Sequence, residues 1–572
     1  MDITYMTTDV VVIGGGGAAC RAAIEVSEKG LDCVMVDKGR PGRSGATPCA
    51  LWSIQAPFGS RGRDERDTPE QFFEDMVRAG RFIGDQNIVE VVASTACERI
   101  LDMERYGVKF KKYDDGRFFQ TPMPGQTYPR SCFMFENGQH MSTVLAKEVA
   151  RRDTISVFKD FFAFDLLKNG NTVVGILGMD MLNGRFVVIN AKSTVLATGG
   201  YTSLWGFSDN PPTLTGDGVA MAYRAGAELV DLEFNQYYGT DVIWPPSVKG
   251  TVVLYELMIS EFADGEITDK DGNPIMEKPL PVRDEAIKII YKVIQEGRGT
   301  EHGGVYFDTT KSPKGAEGVR EVFKTMTPKH YQFLIDAAGL DLAVTPLEVG
   351  PASHYQCGGV FINERGETSL PGLYACGECA GNFQGANRLA GSALCDTQTM
   401  GAQAGGCAAL DAKTRDVAPP DKHHVNEQMD LIKSFEAKRD NPSRPVFVKD
   451  AVLKTMDEYV APFRNEEGLN KGLADISSLR EELSRASLPA IKKYNLELRE
   501  ALEASLALDL AHVTIDSALY RTESRGHHNR TDYPDTDNQN WRCHTIAVRE
   551  NGQPRFSRRD VIYTRIKPDE AK

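Results

Sequence analysis

VVVIGGGGAACRAAIEVSEKGLDCVMVDK, residues 10–38, decides the fold. An apolar β-forming run, Val10 to Ile13, ends in four consecutive glycines. An alanine-rich, helix-compatible stretch follows, then a second apolar run, Cys33 to Val36, closed by Asp37. Strand, glycine turn, helix and strand within about 30 residues make the βαβ unit that binds dinucleotides. Gly14 permits the tight turn, Gly16 lets a pyrophosphate approach the backbone, and Ala19 is small where helix and strand must pack closely. The helix start then offers free N–H groups and a positive dipole end to the phosphates. Asp37, 23 residues beyond Gly14, stands where an acid accepts hydrogen bonds from ribose hydroxyls. A turn would account for the glycines alone, but not for the acid and the two flanking runs.

Working outward, 572 residues exceed what one core serves, so two to four domains are expected. No run reaches the roughly 18–20 apolar residues of a membrane span, so no direct membrane insertion is expected. The start, MDITYMTTD, has neither a basic nor an apolar leader region, so no secretory signal is expected. With 66 basic against 80 acidic residues the formal charge is −14, which argues against nucleic acid and anionic membranes as partners. A locally basic site for a small anion remains open. Eleven scattered cysteines, an odd number, point to reduced thiols and a cytoplasmic location. Cys376 and Cys379 have CxxC spacing, but they lie in the apolar, Gly-rich GLYACGECAG without a second such pair. They read as packed thiols, and no cysteine run ligates an iron–sulfur cluster.

Residues 68–112 carry helical apolar spacing through Phe72, Phe73, Met76 and Val77 and then Ile88, Val91 and Val92. RFVVIN (185–190) and STVLATGG (193–200) read as strand leading to a second glycine turn, followed by TGDGVAMAYRAGAELVDLEFNQ (215–236), a turn entering an alanine-rich helix. Between about 243 and 350 the pattern changes to strands, a turn at Asp271 to Pro274 and a helix over Arg283 to Gln295, which suggests an insertion. Gly-rich turns return over 350–410, so the coenzyme domain is discontinuous. Residues 425–512 are polar and helix-forming, and 520–564 are charged and rich in Arg and His.

Several of these segments together carry a likeness. ATGG (197–200), NPPTLTGDGVAMAYRAGAEL (210–229), RDEAIKIIYKVIQEGRG (283–299), SHYQCGGV (353–360), GLYACGECAGNFQGANRLAGSAL (372–394) and ESRGHHNRTDYP (523–534) occur in one order. The chain resembles, over nearly its whole length, the flavoprotein subunits of the succinate dehydrogenase, fumarate reductase and L-aspartate oxidase family. The resemblance implies an α/β fold: a Rossmann-like FAD-binding domain of glutathione-reductase type, an inserted α+β capping domain and a C-terminal helical domain. The corresponding boundaries are 1–245 and 350–420 for the FAD domain, 246–349 for the cap, and 421–572 for the helical domain and tail.

The resemblance carries FAD onto this chain. Gly14, Gly16 and Asp37 would hold the ADP half. Ser44 and Thr47 would lie near flavin and pyrophosphate, and Asp217, Glu378, Asn387 and Ser392 would complete the isoalloxazine and ribityl contacts. Ala19, Lys38, Thr198 and Gly199 belong to the same cofactor set. A flat redox ring must be pinned by backbone N–H groups and fixed polar side chains. Three departures stand out. Where membrane-bound members attach FAD through the His of an arginine–serine–histidine–threonine sequence, this chain has Arg43, Ser44, Gly45 and Ala46, so the flavin should be non-covalent. The family's histidine–proline–threonine motif is replaced by Tyr238, Gly239 and Thr240, putting Tyr238 at a substrate-binding His. The cap's threonine–glutamate–glycine motif becomes Tyr255, Glu256 and Leu257.

The family's reaction moves a hydride between flavin and one carbon of a C–C bond beside a carboxylate, with proton transfer at the other carbon. It needs a cation on the carboxylate, a proton donor and exclusion of water. By motif position Arg283 is the proton donor, at a helix start whose Asp284 and Glu285 suit that end of the dipole. A surface ion-paired Arg is the alternative reading of the residue alone. Arginine is a poor acid, with a pKa of about 12.5 or more, so a relay must reprotonate it. His354 and Arg388 match the carboxylate-binding His and Arg, and Arg suits a bidentate clamp. With Tyr238 at the lost His, the substrate is expected to differ from plain succinate or fumarate at its second end, with Tyr237, Tyr238 and Tyr255 as an apolar wall. In the terminal cluster Arg525 and His527 are expected to support the flavin domain, and His528 and Arg530 to be solvated.

The resemblance therefore implies the flavoprotein chain of an FAD-dependent oxidoreductase that acts on a small carboxylic acid, with electrons exchanged through an iron–sulfur partner. Rival readings are a partner-free oxidase of the L-aspartate oxidase type, a non-catalytic FAD electron-transfer module and an adenylylsulfate-reductase-α-like subunit. The set Arg283, His354 and Arg388 favours C–C redox chemistry.

Overall fold

The structure is a computed structural model that describes residues 3–51 and 53–568. Its central sheet runs, in spatial order, through strands Ile155–Phe158, Cys33–Val36, Ile3–Ile13, Arg185–Leu196, Thr172–Asp180 and Phe161–Asn169, with Leu373–Ala375 also paired to Arg185–Leu196. Val10–Ile13 is flanked on both sides by parallel partners, Cys33–Val36 and Ser193–Leu196. Burial on both faces explains why that segment is an unbroken apolar run. The strand begins at Ile3, earlier than the apolar run. Ile3–Thr8 pairs only with Phe186–Ala191 and exposes Tyr5, so its composition is polar and its strand character is hidden.

Two glycine positions fix the coenzyme layer. At Gly14 φ is +127° and a Cβ would fall 2.2 Å from the Ala197 carbonyl oxygen, so only glycine lets the two neighbouring strand ends converge. The helix Gly17–Glu28 packs on the helix Ser392–Ala412, where a Cβ on Gly405 would fall 2.6 Å from the Ala22 Cα. Small residues on both helices allow this approach beneath the sheet. The expected helical stretch 68–112 is two helices, Pro69–Ala79 and Gln86–Tyr106, separated where Arg81 and Phe82 take positive φ. That break aims Arg81 at Asp284 and Glu285, the first turn of the helix Arg283–Gln295.

The inserted segment forms a four-stranded antiparallel sheet in the order Asn235–Trp244, Leu347–Gln356, Val305–Asp308 and Glu266–Thr268. Helices Arg283–Gln295, Gly315–Met326 and Pro328–Ala338 accompany it around an apolar cluster separate from the main core. The two long strands, Asn235–Trp244 and Leu347–Gln356, are also the chain's way into and out of this layer, so the residues on them stand between the two cores.

After residue 420 the chain is mostly helical: Lys422–Ser434, Pro445–Tyr459, Glu466–Ser484 and Leu496–Tyr520. The segment beyond is not a solvated tail. Strands Cys543–Glu550 and Gln553–Asp560 extend a sheet that includes Leu229–Val230 and Gly359–Val360. His528 and Arg530 are buried, with 0% and 1% exposure. Arg530 donates to the Ala518 carbonyl at 2.8 Å and pairs with Asp532. The charged composition of this stretch reflects buried ion pairs: Arg521 meets Glu233 and Glu523, and Arg525 meets Glu523.

Candidate active site

A long cavity runs from the glycine turn and the end of strand Cys33–Val36 to the junction with the inserted sheet. Gly14, Gly16, Asp37, Lys38, Ser44, Thr47, Thr198, Gly199, Asp217 and Glu378 all line it, as do Arg283, His354 and Arg388. Ala19 does not. It is wholly buried and lies 3.4 Å from where a Gly14 Cβ would be, a packing role. Asn387 and Ser392 do not line the cavity either. Asn387 is tied to Gln236 and His527, and the Ser392 hydroxyl bonds Gln384 and the Leu389 carbonyl, because both sit on the turn that enters the helix Ser392–Ala412.

At one end the polar groups serve each other. Lys38 Nζ lies 2.6 Å from Asp217 and from Thr215, with Glu503 beside it. Asp217, expected near the flavin ring, therefore sits at the Asp37–Lys38 end. Asp37 accepts the Ser44 hydroxyl, and burial raises its carboxyl above the ordinary range. The Thr47 hydroxyl accepts the Gly17 N–H at 2.9 Å, leaving the neighbouring first-turn amides of that helix for an anion. Ser53 lines the cavity with a buried hydroxyl that has no protein partner. Glu378 accepts the Gln356 N–H at 3.0 Å, and burial pushes it up to about 7. The elongated shape, the free helix start and the orphaned hydroxyl fit a dinucleotide.

At the other end three side chains from three elements meet. His354 Nε2 lies 3.3 Å from Arg283 Nη1 and 3.0 Å from Arg388 Nη2. His354 comes from strand Leu347–Gln356, Arg283 opens its helix, and Arg388 comes from the turn before Ser392–Ala412. Gln236 braces both guanidiniums through Oε1, at 3.4 Å from Arg283 and 3.1 Å from Arg388. Glu256 holds Arg283 Nη2 at 2.9 Å and accepts the Tyr238 hydroxyl at 2.6 Å. Burial alone would raise Glu256, but Arg283 and Tyr238 outweigh it and leave its carboxyl below the ordinary range. Asp209 lies 2.5 Å from His354 Nδ1. Burial lowers the imidazole's pKa, Asp209 opposes that, and Arg283 and Arg388 add to it, leaving the ring neutral at neutral pH.

Gln236, Glu256 and Asp209 were not among the expected site residues. Glu256 was visible inside the altered cap motif, whereas nothing in the spacing of Asp209 pointed at His354, 145 residues away. Of the expected tyrosine wall only Tyr238 lines the cavity. Tyr237 donates to the Val460 carbonyl and Tyr255 to the Pro281 carbonyl, which turns both hydroxyls into the protein. Cys376 lines the cavity and Cys379 donates to the Leu196 carbonyl; burial raises both thiols, so neither is a thiolate near neutral pH. Among the described residues no cluster of His, Cys, Asp or Glu is arranged to hold a metal, and no helix is long and apolar enough to cross a membrane.

Comparison with known proteins gives concordant results. Residues 9–394 match the FAD binding domain family and residues 449–572 the fumarate reductase flavoprotein C-terminal family. A fumarate reductase (CoM/CoB) subunit of Methanothermobacter marburgensis is 37% identical over 97% of this chain and 100% of its own length. The succinate dehydrogenase flavoprotein subunit of Rickettsia bellii is 31% identical, over 100% of this chain and 98% of that protein. In structure, Mycobacterium smegmatis Sdh1 superposes with a TM-score of 0.88 at 30% identity, covering 99% of this chain and 96% of that one. The adenylylsulfate reductase of Archaeoglobus fulgidus shares the fold at 21% identity, with a TM-score of 0.82 over 98% and 97% of the two chains.

Proposed function

From the premise that this chain belongs to the fumarate reductase and succinate dehydrogenase flavoprotein family, an FAD-dependent group of oxidoreductases acting on CH–CH bonds, we propose how its own residues divide the work. Arg388 and His354 hold the carboxylate of an unsaturated acid, and Arg283 supplies the proton that completes its reduction. The observation that carries this reading is the meeting of Arg283 and Arg388 on His354 Nε2, at 3.3 and 3.0 Å, inside the cavity.

FAD held in this cavity and reduced by two electrons would supply a hydride for the alkene carbon β to the carboxylate. Arg388 binds that carboxylate and draws electron density from the double bond, which makes the β-carbon electrophilic. Charge develops at the α-carbon, where Arg283 Nη1 delivers its proton. The π bond is lost and two C–H bonds form, one from the hydride and one from the proton. Glu256, bonded to Arg283 Nη2, aims the guanidinium and, as an anion, favours its reprotonation from solvent after the transfer, and Gln236 accepts from its Nη1. Oxidation of a saturated acid runs the same steps backwards. Gly14, Gly16, Asp37, Lys38, Ser44, Thr47, Thr198, Gly199, Asp217 and Glu378 form the cofactor cradle, with Ala19, Asn387 and Ser392 supporting it from behind. The segments 1–245 and 350–420 act as the coenzyme domain, 246–349 as the cap and 421–572 as the closing domain.

The flavin is held non-covalently, because Gly45 offers no nucleophile at the family's attachment position. Electrons pass to or from an iron–sulfur subunit in the cytoplasm, a reading supported by the relatives' names as subunits and by eleven unpaired cysteines. The test is anaerobic reduction of unsaturated acids by the purified chain with a reduced viologen dye. Arg283→Gln should abolish dye oxidation while retaining flavin; an equally active variant would overturn the assignment. Stoichiometric peroxide from a saturated acid in air would favour the oxidase reading instead.

A further inference from the structure

The charges at the acid-binding end do not leave room for a dianion. Arg283 is neutralised by Glu256 at 2.9 Å. His354 is held by Asp209 at 2.5 Å. Asp241 is wholly buried with both carboxylate oxygens unpartnered, and burial, then Asp209, disfavour its charged form, so it offers no counter-charge of the usual kind. Arg388 is different. Its direct partners are Gln236 Oε1, His354 Nε2 and the Tyr355 ring 4.4 Å away, and the carboxyls of Glu378 and Asp396 act on it only from a distance, without an ion pair. The site therefore contains one buried guanidinium whose charge awaits a carboxylate.

A second carboxylate would need donors of its own. Tyr238 lines the cavity beside Arg283, whose guanidinium carbon lies 4.7 Å from its ring. Its one O–H is spent on Glu256 at 2.6 Å, and the same oxygen accepts the Tyr255 N–H at 2.7 Å. It can only accept, so it repels an anion. Leu51, Met123, Val252 and Leu254 also line the cavity. Leu51, Val252 and Leu254 belong to or pack on the apolar cluster of the inserted layer. A carboxylate pressed there would be buried without a partner and against hydrocarbon, which costs several kcal/mol.

We infer that the substrate is a monocarboxylic acid, its carboxylate on Arg388 and its far end an uncharged apolar group lying against Tyr238, Val252 and Leu254. This rests on the C–C redox reading above and narrows it. An apolar tail gains where a charged one loses. The class comprises 2-enoates with an alkyl or aryl group on the β-carbon, and their saturated counterparts.

The experiment uses the flavin-loaded full chain with reduced viologen as electron source. Initial rates are compared for fumarate, crotonate and cinnamate, and Kd values for succinate, butyrate and 3-phenylpropionate are read from the flavin absorbance change. The expected result is a kcat/KM at least tenfold higher for crotonate or cinnamate than for fumarate, with Kd values in the same order. Leu254→Ala should then raise KM for cinnamate several-fold and leave that for acrylate unchanged. Fumarate outrunning both monoacids would overturn the substrate class while leaving the C–C reading intact. Reduction of none of the acids by flavin-replete protein would overturn the C–C reading itself.

Discussion

Asp209 holds Nδ1 of His354 at 2.5 Å and thereby decides which ring nitrogen faces the cavity. With the proton on Nδ1, Nε2 presents its lone pair to Arg283 and Arg388. An arriving carboxylate screens the two guanidiniums that, with burial, keep the ring neutral, and Asp209 then stabilises the imidazolium. Acid binding should therefore take up a proton and weaken as pH rises. Calorimetric titration in buffers of different ionisation enthalpy would count that proton. Asp209→Asn removes the counter-charge, so proton uptake should vanish. kcat/KM should fall roughly tenfold or more, the worth of one charge-assisted hydrogen bond of about 1.5–3 kcal/mol.

Arg283→Lys tests proton delivery separately from charge. A lysine keeps the cation near Glu256 but cannot span Glu256, Gln236 and His354 with a planar fork. Turnover should drop by about 10²–10⁴-fold, the usual worth of a general acid, with acid Kd changed far less. Stopped-flow reoxidation of the reduced protein by substrate would separate the two.

His544 should make stability fall in alkali. It is wholly buried between Asp231 at 2.6 Å and Asp85 at 3.3 Å. Burial opposes its charge, but the two carboxylates prevail and raise its pKa to about 9. The folded state therefore binds a proton that the unfolded chain, with a pKa of about 6.5, releases first. The stabilisation is complete below about pH 6.5 and is lost as pH rises through about 9; a shift of this size is worth on the order of 3 kcal/mol. Urea denaturation at pH 6.5 and 9.5 should show that loss in the wild type and a smaller one in His544→Gln.

Arg521→Met should destabilise the fold by about 3–5 kcal/mol, because it leaves Glu233 buried without its cation. Arg521 is fully buried, pairs with Glu233 and Glu523, and donates to the Trp541 and Cys543 carbonyls at 2.8 Å. Equilibrium unfolding followed by tryptophan fluorescence would measure it. A change under about 1 kcal/mol would return this cluster to the status of a surface network.

Acid precipitation should release all of the yellow cofactor into the supernatant. Gly45 has φ +77° and nothing within 4 Å of a Cβ position, so no side chain reaches from it toward the flavin. Colour retained in the washed pellet would contradict non-covalent binding.

Local chemistry alone was enough for the coenzyme half. Val10–Ile13, the glycine run and Asp37 are contiguous, and each is demanded by a backbone geometry that few other residues satisfy, so reading them in order gives strand, turn, helix and strand. The helix Arg283–Gln295 was legible for the same reason, its apolar residues repeating at helical spacing behind an acidic first turn. His528 and Arg530 were misjudged because composition cannot distinguish a charge in water from one buried against a partner. What only the tertiary structure decided is the pairing of distant groups: Asp209 with His354, Glu256 with both Tyr238 and Arg283, and Arg388 with Gln236 and His354 in place of a carboxylate. Those pairings set which charges are cancelled and which await a ligand. They arise where the two strands entering and leaving the inserted layer bring separate parts of the chain together, a convergence that sequence spacing does not encode.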